Sequence, residues 1–157
     1  MIKHELGKWN LDELAKNPNR KTIDRTLEKI ESDAKRFEKI KKSLNPKISS
    51  GKFLKLIRDI EDITEKSSMI GGYASLRYSE NTQSDEATAL LTRIRKFGSD
   101  IENRLLFFDL WWKRQVDEKN ARRLMKSTGQ FSEYLRFKRL LAKYSLSEPE
   151  EKIINTL

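Results

Sequence analysis

The sequence predicts an all-α fold, an elongated bundle of about five amphipathic helices, on three observations. Apolar residues recur three and four positions apart over long stretches, the spacing of a helix that buries one face. Val116 is the only valine and the 13 isoleucines follow the same helical spacing, so strands have little to build on. Charged residues make up 36% of the chain, equal to the apolar share, and the mean hydropathy is -0.77. That balance suits long helices that bury a stripe and solvate the rest. With 157 residues the chain reads as a single helical domain over 1–157, with an N-terminal arm over 1–20 and the start of a truncated helix over 148–157.

The arm carries Trp9, Leu11 and Leu14 and ends in the turn cluster Asn17-Pro18-Asn19. A first helix is expected from about Thr22, its stripe running Ile23, Leu27, Ile30, Ala34, Phe37, Ile40 and Leu44. Asp24 in its first turn and Lys41 and Lys42 in its last suit the macrodipole, and Asn45-Pro46 stops it. Ser49-Ser50-Gly51 opens a second helix, with Phe53, Ile57, Ile60, Ile63, Ser67, Ile70, Ala74 and Tyr78 in line. Gly71-Gly72 interrupts that stripe at a cost of about 1 kcal/mol per glycine relative to alanine. A kink and a close backbone approach would each account for the pair, and the aromatics further along, as large neighbours for a close approach, favour close packing within one long helix.

Ser84 or Thr82 can cap a third helix, with Asp85 and Glu86 in its first turn and Ala87, Leu91, Ile94, Gly98, Ile101, Leu105, Phe108 and Trp112 as its stripe. Around Leu105–Trp112 the helix is apolar on almost every side, which marks the best-buried point of the fold, with both Trp111 and Trp112 expected in the core. A fourth helix should start near Asp117, turn Ala121, Leu124 and Met125 inward, and end at Ser127-Thr128-Gly129. A fifth is expected from about Phe131 to Tyr144. Finally, Ser147 with Glu150 forms a capping box with Pro149 in the first turn. Only Lys152 to Leu157 follow, too few for a helix without tertiary support, which suggests a chain cut inside its parent.

No complete catalytic or metal-binding set is present. A helix-borne zinc hydrolase needs H-E-x-x-H, and the chain has one histidine, His4, followed by Glu5. Nucleophilic triads fail for want of a second histidine or any cysteine, and neither phosphate-cradling glycine motif occurs. Carboxylate groups such as Asp59, Glu61 and Asp62, or Glu148, Glu150 and Glu151, read as solvated faces and first-turn dipole compensation. The absence of cysteine, of a membrane-length apolar run and of a leader-like N-terminus leads to the expectation of a cytoplasmic protein without membrane contact.

The formal charge of +9 is concentrated: residues 113–143 hold ten Lys/Arg against three acids. Within that stretch Arg136, Arg139 and Lys143 follow an i, i+3, i+7 line that could contact phosphates or carboxylates. The alternative function class is therefore a stand-alone helical module that binds nucleic acid or an acidic partner through the basic 113–143 face. Nucleic acid is the weaker of the two, because no recognition motif accompanies the charge.

Several landmarks together resemble the N-terminal region of the oligoendopeptidase F family of zinc metallopeptidases. They are Trp9-x-Leu11-x-x-Leu14, Tyr73-x-x-Leu76-x-Tyr78-Ser79-Glu80-Asn81-Thr82-x-Ser84, Leu105-Leu106-Phe107-Phe108-x-Leu110, and Leu146-Ser147-Glu148-Pro149-Glu150-Glu151-Lys152-Ile153. In order and spacing they cover nearly the whole chain. The resemblance implies an all-α lobe that forms one wall of a channel in which short peptides are cleaved. It implies as partners short peptides and a catalytic domain of the same or a parent polypeptide. The family's zinc and its H-E-x-x-H helix belong to that other domain, so no cofactor is expected in this chain and no catalytic or zinc-binding residue carries over to it.

Overall fold

The computed structural model describes residues 19–156. Among them the chain forms six α-helices and no strand: α1 (Arg20–Glu38), α2 (Ser50–Glu80), α3 (Asp85–Arg114), α4 (Glu118–Met125), α5 (Ser132–Leu140) and α6 (Glu148–Ile154). Short 3-10 turns follow α1 (Lys39–Ser43) and flank α5 (Gly129–Phe131 and Leu141–Tyr144). The arm's Trp9, Leu11 and Leu14, and His4, lie outside the described residues.

The helix starts are set by local chemistry. Asn19 and Thr22 form a capping box, so α1 begins two residues before Thr22. Asp24 consequently falls beyond the first turn, and its carboxylate instead meets Arg93 of α3 at 2.6 Å. Ser49, Ser84 and Asp117 cap α2, α3 and α4 by accepting from the backbone N–H three residues on. Glu150 accepts from the Ser147 N–H at 2.8 Å, completing the box expected at α6. Gly129, at φ +54°, lets the chain turn out of α4.

Helices α1, α2 and α3 make an up-down-up core. The α1–α3 pairing is parallel, with Asp24 beside Arg93 at one end and Phe37 against Phe108 (5.5 Å between ring centroids) at the other. α2 runs back between them, bringing Phe53 onto Phe108 and Trp112. The apolar stripes of all three close on one cluster that includes Ile30, Ala34, Ile63, Ile70, Ala74, Ile94 and Ile101. Both tryptophans are buried in it, as the apolar density around 105–112 implies. Ion pairs lie along the helix seams. Arg104 reaches Glu31 and Glu38 of α1 at 2.6 Å each, and Lys66 of α2 reaches the buried Asp33 of α1 at 3.2 Å.

Three expectations change. The all-α bundle is as expected, but the segment read as the start of a truncated helix closes into α6 and docks on α3, with Asn155 donating to Asn103 at 3.1 Å and Glu148 meeting Lys41 at 3.3 Å. Tertiary contact supplies what a helix of this length lacks alone. The fifth helix breaks into a 3-10 turn, α5 and a second 3-10 turn over the span expected to be one helix. At Gly71-Gly72 α2 runs through as one helix, but a Cβ built at Gly71 meets nothing within 4 Å, so no backbone approaches it from the described residues.

Candidate functional site

The three cations singled out from the sequence do not form one site. Arg139 turns inward: its guanidinium donates to the carbonyls of Trp112 (2.9 Å) and Val116 (2.8 Å), lies 5.4 Å from the Trp112 ring, and pairs with Glu118 at 3.2 Å. It therefore satisfies carbonyls left open at the end of α3 and ties α5 to that end and to α4. Arg136 is exposed and pairs with Glu133 one turn back, at 2.8 Å. Lys143 sits past the end of α5, on the 3-10 turn, with its ammonium 4.8 Å from the Tyr144 ring. The i, i+3, i+7 line needed a continuous α-helix, and α5 stops at Leu140.

Most of the other cations in 113–143 also have internal partners. Lys113 and Lys138 both meet Asp109, at 2.5 and 3.0 Å. Burial would lower the Lys138 pKa, yet the charge and hydrogen bond of Asp109 outweigh it and hold it above the ordinary lysine value. Arg114 donates to the Ser145 carbonyl, and Arg123 to those of Pro46 (3.0 Å) and Ile48 (2.9 Å). Arg122 pairs with Glu118 at 3.1 Å. Much of the positive excess read as a contact face is thus spent on joining the ends of helices.

Among the described residues a groove of about 880 Å³ lies between α2 and α3. Its apolar floor comes from Ile63, Leu91, Ile94, Ile101 and Leu105. Its walls are small and polar: Ser67, Ser68, Gly71 and Ser75 from α2 face Gly98 and Ser99 from α3. Neither Gly71 nor Gly98 has an atom within 4 Å of a built Cβ, so both open onto free space rather than packing against a neighbouring helix. Arg95, Lys96, Asp100 and Glu102 also line the groove, giving it both signs of charge. Ser67 and Gly98, expected in core stripes, line this groove instead. The available signal was the set Ser67, Ser68, Gly71 and Ser75 at helical spacing on α2, with the adjacent pair Gly98-Ser99 on α3.

Carboxylates raised from the sequence have local partners. Asp59 is held by Lys55 at 2.8 Å, Asp62 by Lys66, Glu148 by Lys152 at 2.8 Å, and Glu151 by the Leu146 N–H at 2.8 Å. Among the described residues no group of three or more His, Cys, Asp or Glu is placed to hold a metal ion. Among them, too, no helix is long and apolar enough to cross a membrane.

Fold and groove together define an all-α bundle with a cleft between its two longest helices. No family model, curated protein or solved structure matches the chain.

Proposed function

We propose that the chain is the N-terminal, substrate-channel-forming helical lobe of an oligoendopeptidase F-like zinc metallopeptidase that cleaves short peptides. The observation that carries this reading is the α2–α3 groove, long, open, and walled by small side chains over an apolar floor. A peptide in extended form needs room for its backbone, apolar surface for its side chains and hydroxyls to meet its amides. The serines and glycines provide the first and last of these, and the isoleucines and leucines the second. Mixed charge along the groove suits a zwitterionic short peptide better than a polyanion. Hydrolysis, a metal-activated water attacking a peptide carbonyl, belongs in this reading to a catalytic domain of the same or a parent polypeptide.

The order of the landmark motifs supports the same reading, from Tyr73 at the end of α2 to the Ser147 box that opens α6. Reading the gene beyond the codon for Leu157 tests it. An in-frame continuation with H-E-x-x-H is the expected result, and a continuation without that motif, or none, would overturn it. A peptide carrying a photo-crosslinker tests the groove itself: labelling should fall on α2 and α3 and should be lost in a Gly71→Phe variant. Labelling that ignores the substitution would sink the groove assignment.

A further inference from the structure

The outer face of α5 and the 3-10 turn after it presents large apolar side chains to solvent. Tyr134 is 53% exposed, Phe137 57%, Leu140 57% and Tyr144 69%. Tyr134, Phe137 and Leu140 are spaced three residues apart and form one stripe on α5, with Tyr144 beyond its end on the 3-10 turn, while Leu135 and Arg139 on the other side of α5 face the bundle. At roughly 200 Å² per large side chain, these exposures leave on the order of 450 Å² of apolar surface uncovered. That is the size of the largest apolar patch on a typical monomer, and such a patch is often functional. Exposed aromatic rings spaced along a helix are the anchors that helix-on-helix recognition uses.

Charge decides what the stripe fits. Of the cations along 131–146, Arg139 turns inward and Lys138 is held by Asp109, which leaves Arg136, shared with Glu133, and Lys143 at the surface of a chain that is +9 overall. Two of those cations sit over the stripe's own rings, Lys138 at 5.5 Å from Tyr134 and Lys143 at 4.8 Å from Tyr144. A second copy of the chain would bring like charges together. The patch is also about half of the roughly 800 Å² per partner that a stable dimer buries. We propose that the face formed by Tyr134, Phe137, Leu140 and Tyr144 docks an acidic amphipathic helix of a partner protein. Its apolar side covers the stripe, and its carboxylates meet Arg136 and Lys143 at the edges. The proposal stands on this face alone, whether or not the groove between α2 and α3 takes peptide.

The probe is a synthetic amphipathic helix of about five turns, leucine along one side and glutamate elsewhere, with a twin in which lysine replaces glutamate. Fluorescence anisotropy reads binding to the full 157-residue chain. The glutamate peptide should bind at least about tenfold more tightly than its twin, and added salt should narrow the gap. Joint Phe137→Ser and Tyr144→Ser substitution should weaken binding by about tenfold or more, with the helical circular dichroism retained because both rings are exposed. Should that pair disturb folding, Arg136→Glu with Lys143→Glu gives a second reading: preference should shift towards the lysine peptide. Equal binding of the two peptides, or binding of neither, overturns the proposal. So does a dimer in sedimentation that the ring substitutions dissolve, because the stripe would then serve a second copy.

Discussion

The indole N–H of Trp112 donates to the carbonyl of Leu135 at 2.9 Å, while that of its neighbour Trp111 is equally buried and has no acceptor among the described residues. One tryptophan thus pins α5 to α3, and the other carries a desolvated donor. Replacing either with phenylalanine removes similar ring volume, but only Trp112→Phe also breaks a buried hydrogen bond. Trp112→Phe should therefore cost about 1–2 kcal/mol more than Trp111→Phe. Urea unfolding of the two variants checks this, and equal losses would show that the Leu135 contact contributes nothing.

Arg139 and Arg136 sit three residues apart and should behave oppositely. Arg139→Gln gives up bonds to the Trp112 and Val116 carbonyls and the contact with the Trp112 ring, a loss of about 1.5–3 kcal/mol. Arg136→Ala removes an exposed pair within one helix and should shift stability by no more than about 0.5 kcal/mol. Thermal melts of both variants separate the cases.

Stability should fall at both ends of the pH range. The hydrogen bond from Lys35 leads in holding the Glu31 pKa below its ordinary 4.5, against burial and together with Arg104. Glu148 is lowered likewise, chiefly by Lys152. A lowered folded pKa contributes stability that is fully present above 4.5 and is lost as pH falls through the folded value. For Lys66 burial opposes the charge, but the bonds to Asp62 and Asp33 outweigh it and raise its pKa above 10.5. Its contribution is present below 10.5 and disappears as pH rises through the folded value. Denaturant midpoints across pH should show both limbs. Glu31→Gln should lower the neutral plateau and flatten the acid limb, and an unchanged acid limb would contradict the assignment.

Glycines in this fold should respond according to their backbone. Gly71→Ala and Gly98→Ala place a methyl in open space within regular helix and should each stabilise by about 0.5–1 kcal/mol. Gly129→Ala forces an L-residue to φ +54° and should cost about 1 kcal/mol. Melting temperatures of the three variants give the signs directly. A destabilised Gly71→Ala would mean that something occupies the groove beside it.

Much of the architecture was legible because its causes act within one or two turns. The stripes Ile23–Phe37 and Ala87–Trp112 follow helical periodicity, and the caps at Ser84, Asp117 and Ser147 depend on residues three positions apart. The dense apolar run around Phe108 could go nowhere but the centre. The candidate sites were less legible, because they depend on which side of a short helix faces the bundle. Nothing local in Arg136-Phe137-Lys138-Arg139 says that Arg139 would cap α3 while Phe137 stays in water. That follows from how α5 lies across α3, held by Trp112 and Leu135, residues 23 positions apart. Gly71 and Gly98 likewise form a groove only because α2 and α3 run antiparallel with small residues facing each other. Propensity, spacing and capping act locally, and they set the helices and their buried stripes. Which cations became internal ties, whether seven residues of α6 could stay helical, and where open surface remained all rest on contacts between elements far apart in the chain.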